Sequence, residues 1–80
     1  MNKDEILEKM QNIFRDIFDD ENLTITPETT AKDVEGWDSL EHINLISAIE
    51  DEFDIDFGIG EITEFKKVGD IVDSVFNKQN

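Results

Sequence analysis

Asp38, Ser39, Glu41 and His42 place a hydroxyl, two carboxylates and the chain's sole imidazole within five consecutive positions. Two kinds of chemistry are open to such a set. Ser39 could attack as an activated nucleophile with His42 as its base, or it could anchor a covalent group. Nucleophilic catalysis asks for an elbow of the Gly-x-Ser-x-Gly kind, an oxyanion hole and a cleft. Trp37 and Glu41 stand where that elbow has its glycines, and His42 is read instead as covering one side of the core. Anchoring asks only for an accessible hydroxyl in a favourable field. Asp38 suits a helix N-cap, because its carboxylate can accept from a free backbone N–H in the first turn. Glu41 lies three residues on, where it can reach back as in a capping box. Gly36 permits a sharp approach to the helix. Ser39 is then the first helical residue, where free N–H groups and the positive end of the dipole favour a phosphate. A serine at a helix start is most often only part of a cap, so the rest of the chain has to decide.

The elements that would position this stretch are legible. Ile6, Leu7, Met10, Ile13, Phe14, Ile17 and Phe18 recur at spacings of three and four, predicting a helix from Lys3 to Phe18. From Leu23 to Gly36 no helical period is sustained. Thr26 can cap a single turn with Pro27 at its first position, and Leu23, Ile25 and Val34 are expected to pin this loop to the core. A connection this long tends to be functional, and it delivers Ser39 to one end of a bundle. A second helix is predicted from Ser39 to Phe53. On it His42, Ile43, Leu45, Ile46, Ile49 and Phe53 share a broad apolar side, and Leu40 projects to the polar side. Trp37 reads as an apolar anchor under the loop. Ile55 and Phe57 alternate with acids and are expected to insert into the core. Gly60 to Phe65 reads as a short, mobile helix, since each nearby glycine costs about 1 kcal/mol relative to alanine. A last helix is predicted from Val68 to Phe76, with Asp70 in its first turn, Lys66 and Lys67 giving no standard cap, and Asn77 to Asn80 as a frayed tail. The expected fold is all-α: one domain, residues 1–80, built as a small four-helix bundle of three main helices and one short one, with a long loop between the first two.

Composition excludes more than it identifies. The 80 residues carry 21 acids against 7 bases, a net charge of −14. Nucleic acid and anionic membrane surfaces repel such a chain, whereas basic protein partners are drawn to it. There is no cysteine and one histidine, which removes disulfides, thiolate chemistry and the usual zinc sites. The charged N-terminus shows no signal peptide and no long apolar run, so a cytoplasmic, monomeric protein without membrane insertion is expected.

Taken together, Gly36-Trp37-Asp38-Ser39-Leu40, the run from Ile43 to Phe53, Asp54-Ile55-Asp56 and the closing Val68-Gly69-Asp70-Ile71-Val72 resemble an acyl carrier protein of the free-standing type over essentially the whole chain. The resemblance implies that Ser39 carries a covalent 4′-phosphopantetheine arm, placed by a phosphopantetheinyl transferase from coenzyme A. It implies that the arm's thiol holds acyl groups as thioesters and that the protein catalyses nothing. Acyl-loading and acyl-processing enzymes of fatty-acid, polyketide or related specialised biosynthesis would dock basic patches on the second helix. By position, Asp38, Leu40, Glu41, Glu50 and Asp51 would meet them. Asn44 and Ser47 stand where housekeeping carriers tend to have an acid and a methionine. With Trp37 and His42 they look more like a carrier of a dedicated pathway.

Three other readings compete. A peptidyl or aminoacyl carrier usually shows Gly-Gly-His/Asp-Ser, which Glu35-Gly36-Trp37-Asp38-Ser39 does not match. A calcium loop counted from Asp54 would need glycine sixth and glutamate twelfth, and Ile59 and Phe65 stand there. An unmodified acidic adaptor accounts for the charge and the helices but leaves the placement of Ser39 to coincidence.

Overall fold

A computed structural model describes residues 1–79. It contains α1 (Lys3–Ile17), α2 (Ser39–Phe53), α3 (Ile59–Glu64) and α4 (Val68–Gln79). Asn2 starts α1 with a reciprocal capping box. Its Oδ1 accepts from Glu5 N at 2.8 Å, and its own N–H donates to Glu5 Oε1 at 3.1 Å. The α1 stripe then buries Ile6, Met10 and Phe14 against both α2 and α4. Leu45, Ile46, Ile49 and Phe53 of α2 and Val68, Ile71, Val72 and Val75 of α4 close the core from the other sides. Each large aliphatic or aromatic side chain so buried contributes about 1.5–3 kcal/mol, which is how a thin core holds so acidic a chain together. Ile25, Phe57 and Val34 are buried as well, with Leu23 and Ile55 half-buried, so the expected anchors do anchor.

The long loop is ordered by side-chain and backbone bonds that periodicity does not reveal. Arg15 Nε donates to Leu23 O at 2.7 Å, and Gln11 Oε1 accepts from Ile25 N at 3.1 Å, so polar residues of α1 strap the loop down. Thr26 and Thr29 close one non-helical turn: Thr29 N donates to Thr26 O at 3.0 Å and Thr26 N to Thr29 Oγ1 at 2.8 Å. This turn then serves α4. Val68 N donates to Thr29 O at 2.9 Å and Gly69 N to Pro27 O at 2.7 Å. The Asp70 carboxylate accepts from Lys66 N and Lys67 N. The start of α4, which showed no standard cap in the sequence, is therefore satisfied partly from a distant loop. Gly69 is what allows the approach, since a Cβ there would lie 2.9 Å from Pro27 O.

The helix limits differ from expectation at four places, one of them the end of the short helix, which stops at Glu64 with Phe65 as its C-cap. Phe18 is the C-cap of α1 and Asp19 turns left-handed at φ 51°, which ends the helix one residue early. The short helix begins at Ile59 instead of Gly60, because Gly58 O accepts from Glu61 N and Ile62 N. The residues read as a frayed tail are helical through Gln79, held by Lys78, whose Nζ reaches Glu61 Oε1 at 2.8 Å. Asn80 lies outside the described residues.

Candidate functional site

Ser39 opens α2 as its first residue and is exposed. Gly36, at φ +90°, makes the turn that brings the chain there. Asp38 caps the helix, accepting from Glu41 N at 2.9 Å through Oδ1. The expected return bond from the Glu41 side chain is absent. Asp38 N donates instead to Gly36 O at 3.0 Å, and Glu41 Oε1 accepts from Asn44 Nδ2 at 3.2 Å. The cap is thus one-sided, since the Gly36 turn has already taken the N–H that a capping box would use. Among the described residues, the Ser39 hydroxyl and the N–H groups of Ser39 and Leu40 have no hydrogen-bond partner. They are the free donors of a helix start, beside an available oxygen.

Trp37 and His42 build the wall next to Ser39. The indole lies edge-on to Phe14, with ring centres 5.2 Å apart, and stacks on the His42 imidazole at 5.9 Å and 24°. Trp37 Nε1 donates to His42 Nδ1 at 3.0 Å. His42 is therefore held by the indole and turned away from service as a base for Ser39, because the nitrogen that accepts is already occupied. Trp37 packs as the anchor it was read to be, while also keeping one face on the site.

Ser39, Asp38, Trp37 and His42 share an open cleft of about 620 Å³ with Ile43, Ala31, Ile62, Thr63, Phe65 and Lys66. The loop, α2, α3 and the α3–α4 link each contribute a wall. Ile43 corrects the sequence reading. Its helical position predicts the core side of α2, yet it is 61 % exposed. The reason is that α1 and α4 fill the core face, and Ile43 stands at its border over the cleft, where short α3 does not reach to cover it. Leu40, next to Ser39 on α2, is 67 % exposed, and Ile59 at the start of α3 is 84 % exposed. No periodicity could have assembled these residues, because they come from four segments and none repeats.

α3 buries none of its residues and is held by Glu61. Glu61 Oε1 accepts from Lys78 Nζ at 2.8 Å and Gly58 N at 3.0 Å, and Oε2 accepts from Ser74 Oγ at 2.7 Å. The Lys78 bond, then the Gly58 N–H and the Ser74 hydroxyl, hold the Glu61 carboxyl down to about 2 from an ordinary 4.5.

The remaining predicted surface residues do not behave alike. Asp51 is exposed on α2. Glu50 is half-buried, and its Oε2 accepts from Phe57 N at 2.8 Å, which folds the chain back after α2. Asp38 is tied to the cap, the Glu41 carboxylate accepts from Asn44, and Leu40 is exposed. Among the described residues, no three histidine or acidic side chains converge as a metal would require, and no helix is long and apolar enough to cross a membrane.

The chain matches the protein family described as "Phosphopantetheine attachment site" over residues 8–75. It is 35% identical over 78 residues to the acyl carrier protein of Thermosynechococcus vestitus, covering 98% of this chain and 96% of that one. To the acyl carrier protein of Clostridium acetobutylicum it is 34% identical over 70 residues, covering 88% and 91%. Among solved structures it superposes on the solution structure of the holo acyl carrier protein from Geobacter metallireducens with a TM-score of 0.86 at 43% identity, covering 92% of this chain and 85% of that one.

Proposed function

The chain belongs to the acyl carrier proteins, the family of the phosphopantetheine attachment site, and from that premise we propose that Ser39 is the residue that carries the arm. The observation that supports this most is the Ser39 hydroxyl itself, unbonded, exposed and first in α2, on the wall of the cleft. The residues present fit the group. A phosphodiester on Ser39 would meet the free N–H groups of Ser39 and Leu40 and the positive end of α2. When bound, 4′-phosphopantetheine supplies a flexible arm and a terminal thiol that holds acyl groups as thioesters. Ser39 Oγ displaces 3′,5′-ADP from coenzyme A at phosphorus on a partner transferase, losing its proton as the new P–O bond forms and the pyrophosphate P–O bond breaks.

The chain is a carrier and not an enzyme. Its own residues hold the attachment point, shelter what is attached and offer a surface. Trp37, Ile62 and Phe65 give the cleft apolar walls suited to an acyl chain, and α3, without buried residues, is the wall with the least holding it. Leu40 and Ile43 form the exposed apolar ground beside Ser39, and Asp38, Glu41 and Asp51 supply negative charge for basic patches on acyl-loading and acyl-processing enzymes. Glu50 serves the fold as well as any partner. The cargo is an acyl intermediate of fatty-acid, polyketide or related specialised biosynthesis. The Trp37–His42 pair at the mouth of the cleft favours a dedicated pathway.

The test is intact mass after incubation with coenzyme A and a broad-specificity phosphopantetheinyl transferase, beside Ser39→Ala. A gain of one phosphopantetheine in the parent and none in the variant is expected. No gain under conditions that modify another carrier would return the chain to the adaptor reading.

A further inference from the structure

We infer that Lys66 pairs with the phosphodiester of the arm on Ser39, across the cleft that both residues line; this rests on the attachment reading above. The chain has seven cationic side chains against 21 acids, so most find a partner at once. Lys3 pairs with Asp73 at 2.9 Å, Lys9 with Glu52 at 3.9 Å, Lys78 with Glu61 at 2.8 Å, and Arg15 donates to Leu23 O. Among the described residues, Lys32, Lys66 and Lys67 have no ion pair. Of these only Lys66 lines the cleft of Ser39.

Its position is held and its charge is out of place for the helix it precedes. Lys66 N donates to Asp70 Oδ2 at 2.9 Å, which pins the backbone. Lys66 and Lys67 both stand at the positive end of α4, where a cation is unfavourable, and Lys66 also borders a second hollow with Glu61, Glu64, Asp70 and Asp73, so it is the shared cleft with Ser39 that sets it apart from Lys67. Asp38 on the cleft wall and Glu41 in the first turn of α2 flank Ser39 in the chain with like charge for any phosphate placed there. The free N–H groups of α2 supply partial charges only. A mobile ammonium on a four-carbon stem supplies a full one and needs no fixed geometry. Lys67 is the internal control, being adjacent, exposed and absent from the cleft walls.

Lysine reactivity reads this without a variant. The unmodified and phosphopantetheinylated proteins would each be treated with a trace of an amine-acetylating reagent, digested, and the extent at every lysine compared by mass spectrometry. Acetylation of Lys66 is expected to fall roughly 2- to 5-fold on modification, the range an exposed ion pair supplies, with Lys67 and Lys32 unchanged. The protection should vanish near 1 M salt, where charges more than about 3 Å apart are screened. Equal change at Lys66 and Lys67 overturns the pairing. So does protection that survives high salt, which would mean steric cover. A third arm loads the protein with a carboxylate-bearing acyl thioester and with a neutral one of equal length. Protection confined to the carboxylate form would assign Lys66 to cargo and overturn its assignment to the phosphate. If the protein gains no phosphopantetheine mass, the attachment reading falls and this pairing with it, an outcome distinct from a modified protein whose Lys66 is unprotected.

Discussion

Replacing Gly69 by alanine tests the contact that carries the long loop, and with it the approach to Ser39. Alanine in a helix normally gains about 1 kcal/mol over glycine. At Gly69 the new Cβ would stand 2.9 Å from Pro27 O and 3.3 Å from Pro27 Cβ. The backbone oxygen cannot swing aside as a flexible side-chain end would, so the Thr26–Thr29 turn must back away from α4. Overpacking of this kind costs about 1–3 kcal/mol. Retreat of the turn also weakens the 2.7 Å bond from Gly69 N to Pro27 O, worth about 0.5–1.5 kcal/mol. Repulsion and the lost bond together exceed the propensity gain, leaving a net loss of about 0.5–3.5 kcal/mol. For a domain of this size that lowers the melting temperature by roughly 2–28 °C. Gly60→Ala is the matched comparison, since a Cβ there meets nothing within 4 Å, and it should gain up to about 1 kcal/mol. Thermal unfolding by far-UV circular dichroism and urea midpoints would be read on both, with amide exchange at Gly69 N as a local reporter. If Gly69→Ala stabilises as Gly60→Ala does, the close approach of loop and helix is wrong.

The other outcomes concern the walls of the cleft. His42→Leu leaves Trp37 Nε1 without its acceptor and should cost about 0.5–1.5 kcal/mol, with a shift in the emission of the chain's sole tryptophan; unchanged fluorescence would mean the pair does not form. The Glu61 carboxyl titrates lower in the folded chain than when unfolded, so its contribution is fully present above pH 4.5 and is lost as pH falls toward about 2. Between those values the parent should therefore lose stability more steeply with acid than Glu61→Gln does, as followed by denaturant midpoints across pH; parallel curves would remove Glu61 as the tie between α3 and α4.

Much of this protein is written locally. Helix starts at Asn2 and Asp38, the stripe from Ile6 to Phe14 and the punctuation at Gly36 act between residues a few positions apart, where propensity and capping decide. That is why the all-helical bundle, the long loop and Ser39 at a helix start are all legible in the sequence. The family resemblance is legible for the same reason, as its motif is a contiguous stretch. Tertiary structure decided what depends on contact between distant segments. Ile43 faces the cleft because α1 and α4 occupy the core side of α2. The Trp37–His42 bond, the capping of α4 by Pro27 and Thr29, and the tie from Glu61 to Ser74 and Lys78 each join groups that no helical period relates. Lys66 reads in the sequence as a poor helix start. Only the folded chain brings it to the same cleft as Ser39, because side-chain neighbours are chosen by packing and not by order along the chain.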